Sequence, residues 1–565
     1  MEREFSELEK KALEVFVTSA DDPIYAIRNT VPIEVFGAFG SYFSRNPKDF
    51  REHLLDSLYG RVPGEEVDKS SREGVLQDLA EGKYVDPSQA LVSGLAKAQD
   101  FFKRWYGKYS HKSIANVVPI GLVGTGVSQL FARELAYDQL AFFIEQSTRY
   151  VEWKRENMHL DQDIMASPQR EVFLRSIDAS VGAYHTLVAQ AAHHYQREIP
   201  FELWKTWQSD RTLKSSEREI RAKYDREIKG AALDRARFLL PQACTTNIAW
   251  VLDARSMEFD VSAWKGHPVR ELRRAAELIE KHAGQIAPSL LKYTERSDYY
   301  ADDLCGYGGD LESKEPLAEF SKGVSVITAD PDSLDKTIAH LLKRHNRGGT
   351  FSQRLGEARN MSFKRKMEIL KRIVRGRGSH DEWVSMDEEF DLVKTSFEIR
   401  SDVGAIRDWR RHQKWDRSEP LITLDNGSYR PILFDEMGPK AVRLYEETME
   451  LAHDAEREIR KGGMPYQAQF VVPMGARHSI TMSGGLDQAQ YMAWTRTTPE
   501  GNFSYREDSF NLAEALVRVH PWMLGYERYP EGKRFKQVYD EAPLKGGLES
   551  ERIMNLQWGQ SALHQ

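Results

Sequence analysis

Phe142-Phe143-Ile144-Glu145-Gln146-Ser147-Thr148-Arg149-Tyr150 sets a carboxylate, a hydroxyl and a guanidinium at alternate positions, directly after a helical run. An extended backbone sends residues i, i+2 and i+4 to one face, so Glu145, Ser147 and Arg149 are expected to converge on one ligand. Arg149 is suited to hold a phosphate or carboxylate bidentately. Ser147 would add a short hydrogen bond, and Glu145 would orient a neighbour. Taken alone, such a polar triplet ordinarily marks a solvated strand edge, so the rest of the chain has to decide.

At 565 residues the chain exceeds what one core usually supports, and two domains are expected. A hydrophobic fraction of 41% beside 29% charged residues describes an ordinary globular protein. No uninterrupted apolar run reaches ~18 residues, so no membrane span is expected. The charged start, Met1-Glu2-Arg3-Glu4, is unlike a signal peptide. Two cysteines, Cys244 and Cys305, cannot build a zinc set or a disulfide framework, which points to a reducing cytoplasm. The net charge of -7 gives no general argument for nucleic-acid binding. One segment, 343–377, is strongly basic. It reads as a solvated helix face or as an electropositive rim for a polyanionic ligand.

Apolar positions recur at three- and four-residue spacing over 168–198, 211–238, 267–295 and 438–461, and predict helices. Strand-like runs interrupt them at Val117–Ile120, Val324–Ile327, Thr395–Ile399 and Phe470–Pro473. The mixture predicts a helix-rich α+β fold. The halves also echo each other in the same order. Gly40-Ser41-Tyr42-Phe43-Ser44 resembles Gly349-Thr350-Phe351-Ser352, Tyr109-Ser110-His111 resembles Gly378-Ser379-His380, and Arg237-Phe238-Leu239-Leu240-Pro241 resembles Gln469-Phe470-Val471-Val472-Pro473. A duplicated domain follows, with copies at 1–305 and 306–565 and an acidic, aperiodic join in 300–320.

Ser110-His111-Lys112-Ser113, then Glu145-Gln146-Ser147-Thr148-Arg149-Tyr150, then Arg237-Phe238-Leu239-Leu240-Pro241, Asp253-Ala254-Arg255 and His267 stand in the order of a known pattern. The chain resembles the flavin-dependent thymidylate synthases, the ThyX family, as a degenerate tandem duplication of that domain. The family has an Arg-His-Arg signature before its Asn-Glu-x-Ser-x-Arg-Tyr. The first half has Tyr137-Asp138-Gln139 there, whereas the second half has Trp409-Arg410-Arg411-His412-Gln413 followed by Glu419. The second half in turn has Leu421 for the serine and Gln469 for the arginine of the Leu-Pro element, but keeps Thr495-Arg496.

That division implies one site completed by both copies, in two ThyX-like domains forming a pseudo-dimer. The resemblance implies FAD as cofactor, with NADPH and methylenetetrahydrofolate as co-substrates in the reductive methylation of dUMP to dTMP. It assigns Arg149, Arg237 and Ser147 to the nucleotide, and Arg411, His412, His111, Arg255 and His267 to the flavin. Catalytic roles fall to Ser147, Arg496 and Glu145, with Arg496 stabilising charge that develops on the pyrimidine. A homodimer forming a pseudo-tetramer is expected, with no membrane or nucleic-acid partner. Two other readings stay open: a non-catalytic or regulatory nucleotide-binding protein on a decayed scaffold, and a flavin-dependent enzyme acting on another pyrimidine nucleotide.

The residues carry plainer readings too. His111 serves equally as a turn cap, and Arg255 as a partner of Asp253 or Glu258. Trp250, Trp264, Trp409, Trp415 and Trp494 read as core. Gly124-Thr125-Gly126 lacks the third glycine of a dinucleotide loop. His193-His194 has no third metal ligand at suitable spacing, and no metal is expected.

Overall fold

The computed structural model describes residues 4–42, 48–60, 69–109, 111–149, 151–206, 208, 215–304, 320–346, 348–375, 377, 388–497 and 501–525. These form two compact units interleaved along the chain. One comprises 1–124, 140–144 and 248–313, and the other 125–139, 145–247 and 314–565. The fold is α+β and rich in helix, with one three-stranded and one four-stranded sheet. Among the described residues no helix is long and apolar enough to cross a membrane.

The first unit is built on short amphipathic helices, Ile33–Tyr42, Phe50–Leu58 and Val92–Phe102. Phe39, Leu54, Leu55, Ala98 and Phe102 are buried together in its core. Gly94 lets two of these helices approach, since a Cβ there would stand 2.2 Å from the Ser57 hydroxyl. The unit also holds most of β1 (Pro119–Ser128), β2 (Phe142–Glu145) and β3 (Thr245–Asp253), ordered β1-β3-β2. The helices Ala254–Trp264 and Arg270–Ile286 complete it.

The second unit holds β4 (Gly323–Ala329), β5 (Lys394–Asp402), β6 (Asp416–Ser418) and β7 (Arg477–Gly485), ordered β4-β5-β7-β6 and antiparallel. Residues alternate across the pleat, so Phe397 and Ile399 on β5 are buried with Ile480 and Met482 on β7. The long helix Arg170–Glu198 packs against two others, Glu217–Ala236 and Pro439–Lys461. A capping box at Ser216 and Glu219 starts the second, and Gly462 ends the third.

The element order recurs. A strand and a short helix (β1 then Gln129–Tyr137; β5 then Val403–Trp409) are followed by an outer strand, β2 or β6. Next come long helix, a 3₁₀ turn (Arg237–Leu239; Gln469–Val471), a central strand (β3 or β7) and another helix. In each sheet that central strand separates the other two.

Several sequence expectations change. Phe470–Pro473 is a 3₁₀ turn closed by a lone bridge between Pro473 and Pro241, because proline has no N–H to extend a ladder. Gly40 and Gly349 are not equivalent. The first lies near the end of Ile33–Tyr42, the second just ahead of Thr350, which caps a new helix. Phe43, Ser44, Ser110, Gly378, Ser379, His380 and most of the expected join lie outside the described residues. The basic segment is neutralised in part, since Arg344, Arg354, Arg359, Arg365 and Lys366 each meet a carboxylate. The five tryptophans expected in the core are all buried.

Candidate functional site

The opening triplet does not stay extended. β2 ends at Glu145, and the chain turns at 148–149, with Ser147 Oγ accepting from the Arg149 N–H at 3.2 Å. The three side chains therefore diverge from the single face expected of a strand. The Arg407 guanidinium contacts both oxygens of Glu145, at 3.1 and 2.5 Å. It also donates to Thr148 Oγ1 at 2.8 Å and to the Gln146 carbonyl at 3.0 Å. Arg407 is aimed there by the turn from β5 into the Val403–Trp409 helix, where Asp402 caps the Ala405 N–H.

Arg149 points to Asp234, with Nε 2.9 Å from Oδ1. Asp234 and Arg237 share one face at the end of the Glu217–Ala236 helix, three residues apart. Burial alone would raise the Asp234 carboxyl, but Arg149, Arg237 and Arg235 outweigh it and hold the pKa at about 2. Asn502 Nδ2 donates to its other oxygen at 3.0 Å. Arg237 is only 2% exposed, and the one hydrogen bond of its guanidinium among the described residues is a long one, 3.4 Å from Nη1 to Thr148. Its Nε and Nη2 have no hydrogen-bond partner there. A buried guanidinium with unspent donors is costly unless an anion takes them.

A second carboxylate organises the other side. Burial opposes ionisation of Asp408, yet Arg411, Arg496, Arg237 and Arg407 pull its pKa down. Arg411 Nε lies 3.6 Å from Asp408. Arg496 Nε stands 2.9 Å from His412 Nε2, and its guanidinium lies over the Tyr505 ring. Burial and then Arg496, Arg417 and Arg411 push His412 well below its ordinary pKa, so the imidazole is neutral and accepts from Arg496. Tyr505 is itself raised by burial and feels Asp408, Arg149, Arg496 and Asp234. These shared fields join the Arg149 and Arg411 groups into one cluster.

Glu145, Ser147, Arg149, Arg237, Arg411, His412 and Arg496 thus all belong to the second unit. His111, Arg255 and His267 belong to the first. His111 is exposed, its ring edge-on to Trp105. The Arg255 N–H is capped by Asp253, and buried His267 accepts from the Val269 N–H through Nδ1. Tyr150 lies outside the described residues.

Arg410 grips Glu419, and Arg417 donates to backbone carbonyls of Arg410, Ala136 and Tyr137. Asp234, Asp408, Arg407, Asn502 and Tyr505 went unread in the sequence. Asp234 had a signal, three residues before Arg237 on one helix face, and so had Asp408, three residues before Arg411; Arg407, Asn502 and Tyr505 are brought in by tertiary packing. Elsewhere, Asp425, His453 and Glu456 offer ligand atoms within 4.8 Å of one another. Arg460 already contacts both oxygens of Asp425, which leaves that group an ion-pair cluster.

A UPF0159 protein of Chlamydia pneumoniae is 24% identical over 92% of this chain and 94% of its own length. A UPF0159 protein of Thermoplasma acidophilum is 22% identical over 78% of this chain and 92% of its own. A flavin-dependent thymidylate synthase of Clostridium tetani is 24% identical over 33% of this chain and 66% of its own. Residues 69–289 match the family described as thymidylate synthase complementing protein.

Proposed function

We propose that this chain is a flavin-dependent thymidylate synthase-like enzyme that binds dUMP through the arginine cluster and methylates it reductively. The observation that carries the reading is Arg237, buried with two unspent N–H donors beside Arg149 and among residues of both sequence halves. Arg149 and Arg237 would grip the nucleotide phosphate, with Asp234 fixing their planes. Ser147 would position the base, and Glu145 would hold Arg407. Arg496 would stabilise negative charge growing on the pyrimidine, its Nε oriented by neutral His412. Arg411 and His412 are the groups of this cluster proposed to face FAD. The redox chemistry, with NADPH as reductant and methylenetetrahydrofolate as carbon source, is the flavin's when it is bound. His111, Arg255 and His267 lie in the other unit, and the proposal stands without them.

The division of the motif between the halves supports a duplicated ThyX-like ancestor, as does the recurring element order. Purified protein is expected to be yellow and to bleach with NADPH. Arg149→Ala is expected to weaken dUMP binding on the order of 100-fold while flavin content holds. A colourless preparation that takes up no added FAD would overturn the enzyme reading in favour of a nucleotide-binding protein without turnover.

A further inference from the structure

The hydrogen bonds of the Glu145 group have a second, swapped set. Arg407 grips Glu145 and the Gln146 carbonyl. Arg133 stands 3.7 Å from Glu419 and donates to the Pro420 carbonyl at 2.9 Å. The same number of residues separates Arg133 from Arg407, Glu145 from Glu419, and Gln146 from Pro420. Each half thus supplies an arginine that faces the other half's glutamate, as in an isologous two-fold interface. The turns before the central strands repeat the exchange. Gln242 N donates to Val472 O at 3.0 Å, and Met474 N to Leu240 O at 2.9 Å. Ala243 N donates to Phe470 O at 2.9 Å, and Gly475 N to Phe238 O at 2.8 Å. Two equivalent positions for an anion follow from this symmetry, the Arg237 cluster and its counterpart around Gln469.

We infer that the counterpart is closed by its own side chains and serves as a structural brace, leaving one anion site per chain. That the open site takes a nucleotide rests on the function proposed above; that the counterpart is closed rests on its contacts alone. Where the open site has Arg237 with unspent donors, the counterpart has Gln469. Its Oε1 accepts from Arg133 at 2.7 Å and from Ile422 N at 3.0 Å, and its Nδ-equivalent amide, Nε2, donates to Tyr466 O at 3.0 Å. Where the open site has Arg149 and Ser147, the counterpart has Thr423 and Leu421, so the phosphate-gripping cation and the hydroxyl are gone. Glu419 is also saturated more fully than Glu145. Arg410 takes both of its oxygens, at 2.7 and 2.5 Å, and His478 Nε2 stands 3.1 Å away. The matching positions in the first half are Ala136 and Thr246. Among the described residues both terminal nitrogens of Arg133 are hydrogen-bonded, with only its Nε left without a hydrogen-bond partner, and Arg410 is paired to Glu419, so an incoming anion would have to break a buried ion pair.

Two measurements on the full chain test this. Equilibrium dialysis against dUMP is expected to saturate at one nucleotide per chain, and Arg237→Gln, which installs the counterpart's residue, is expected to abolish it. Two nucleotides per chain, or binding that survives Arg237→Gln, would overturn the inference. Thermal melts without ligand test the brace directly. Glu419→Gln is expected to lower the midpoint by several degrees because it leaves Arg133 and Arg410 buried beside a neutral amide. Arg133→Met, which keeps the Arg410–Glu419 pair, is the milder variant should the first fail to fold. A wild-type midpoint in Arg133→Met would sink the brace. Failure of the wild-type chain to bind dUMP would instead count against the proposed function, with the melts still deciding the brace.

Discussion

At the scale of single residues, two buried aspartates of the second unit, Asp234 and Asp508, respond to pH with opposite sign. Asp234 is held at about 2 against burial by three guanidiniums. Its folded pKa lies below the unfolded value, so its stabilisation is present above about pH 4 and is lost as pH falls towards 2. Asp508 is pushed up to about 7 by burial, with Lys322 pulling the other way and Asp402 and Glu507 adding to the rise. Trp409 Nε1 faces it at 3.4 Å, and the Lys322 amine at 3.7 Å. Between about pH 4 and 7 the folded chain keeps a proton that the unfolded chain has released. Stability therefore falls across that window, by at most about 1.4 kcal/mol per pH unit, and levels off above 7. Urea melts at pH 5 and pH 8 should show this loss in the wild-type chain and much less of it in Asp508→Asn; equal slopes in the two proteins would rule out Asp508 as its source. Asp234→Asn should cost about 3 kcal/mol at pH 7, because Arg149, Arg235 and Arg237 lose a shared buried counter-charge. Added dUMP should raise the melting midpoint of that variant more than that of the wild type, since an anion then replaces the missing carboxylate; a smaller shift would argue against a phosphate beside Arg237.

At the scale of elements, the 3₁₀ turns at Arg237–Leu239 and Gln469–Val471 matter most, because their exchanged backbone bonds set the Arg237 side chain. Gly475 sits in that exchange. A Cβ there would stand 2.9 Å from the Phe238 carbonyl, the acceptor of the Gly475 N–H, and 2.5 Å from the Tyr445 hydroxyl. Gly475→Ala should therefore destabilise the chain by about 2 kcal/mol, read as a lower urea midpoint with unchanged slope; an unaltered midpoint would mean the turn has room to relax. These turns also mark what could be read from sequence. The likeness of Arg237–Pro241 to Gln469–Pro473 identified them as a pair, and helical periodicity located Arg170–Glu198 and Pro439–Lys461 closely. The second of the turns reads as strand in the sequence, because Phe470-Val471-Val472 is β-favouring while the flanking proline and a non-local partner decide the geometry. Glu145–Arg149 failed for a related reason. Period-two spacing assumes an extended backbone, whereas Arg407, far along the chain, holds Glu145, Gln146 and Thr148 around a turn.

At the scale of the whole molecule, the second unit is assembled from three separate stretches of chain, 125–139, 145–247 and 314–565. The division of motifs between the halves was legible in the sequence, since each half lacks what the other retains. The interleaving was not, because it depends on backbone bonds such as Met474 N to Leu240 O that no local pattern announces. The contacts make a definite claim about fragments. Residues 306–565 alone would keep Arg407, Asp408, Arg411, His412 and Arg496 but lose Glu145, Thr148, Asp234 and Arg237, which neutralise or complete them. They would also lose Arg133 from Glu419 and both partners of the exchanged turns. Buried guanidiniums without counter-charges and turns without acceptors each cost stability. The fragment 306–565 is therefore expected to melt without a cooperative transition and to bind no dUMP. Co-expression with 1–305 should restore a single sharp transition, and with it nucleotide binding. Cooperative unfolding of 306–565 by itself, at the midpoint of the intact chain, would show that the exchanged contacts contribute little and that the second half is a self-sufficient domain.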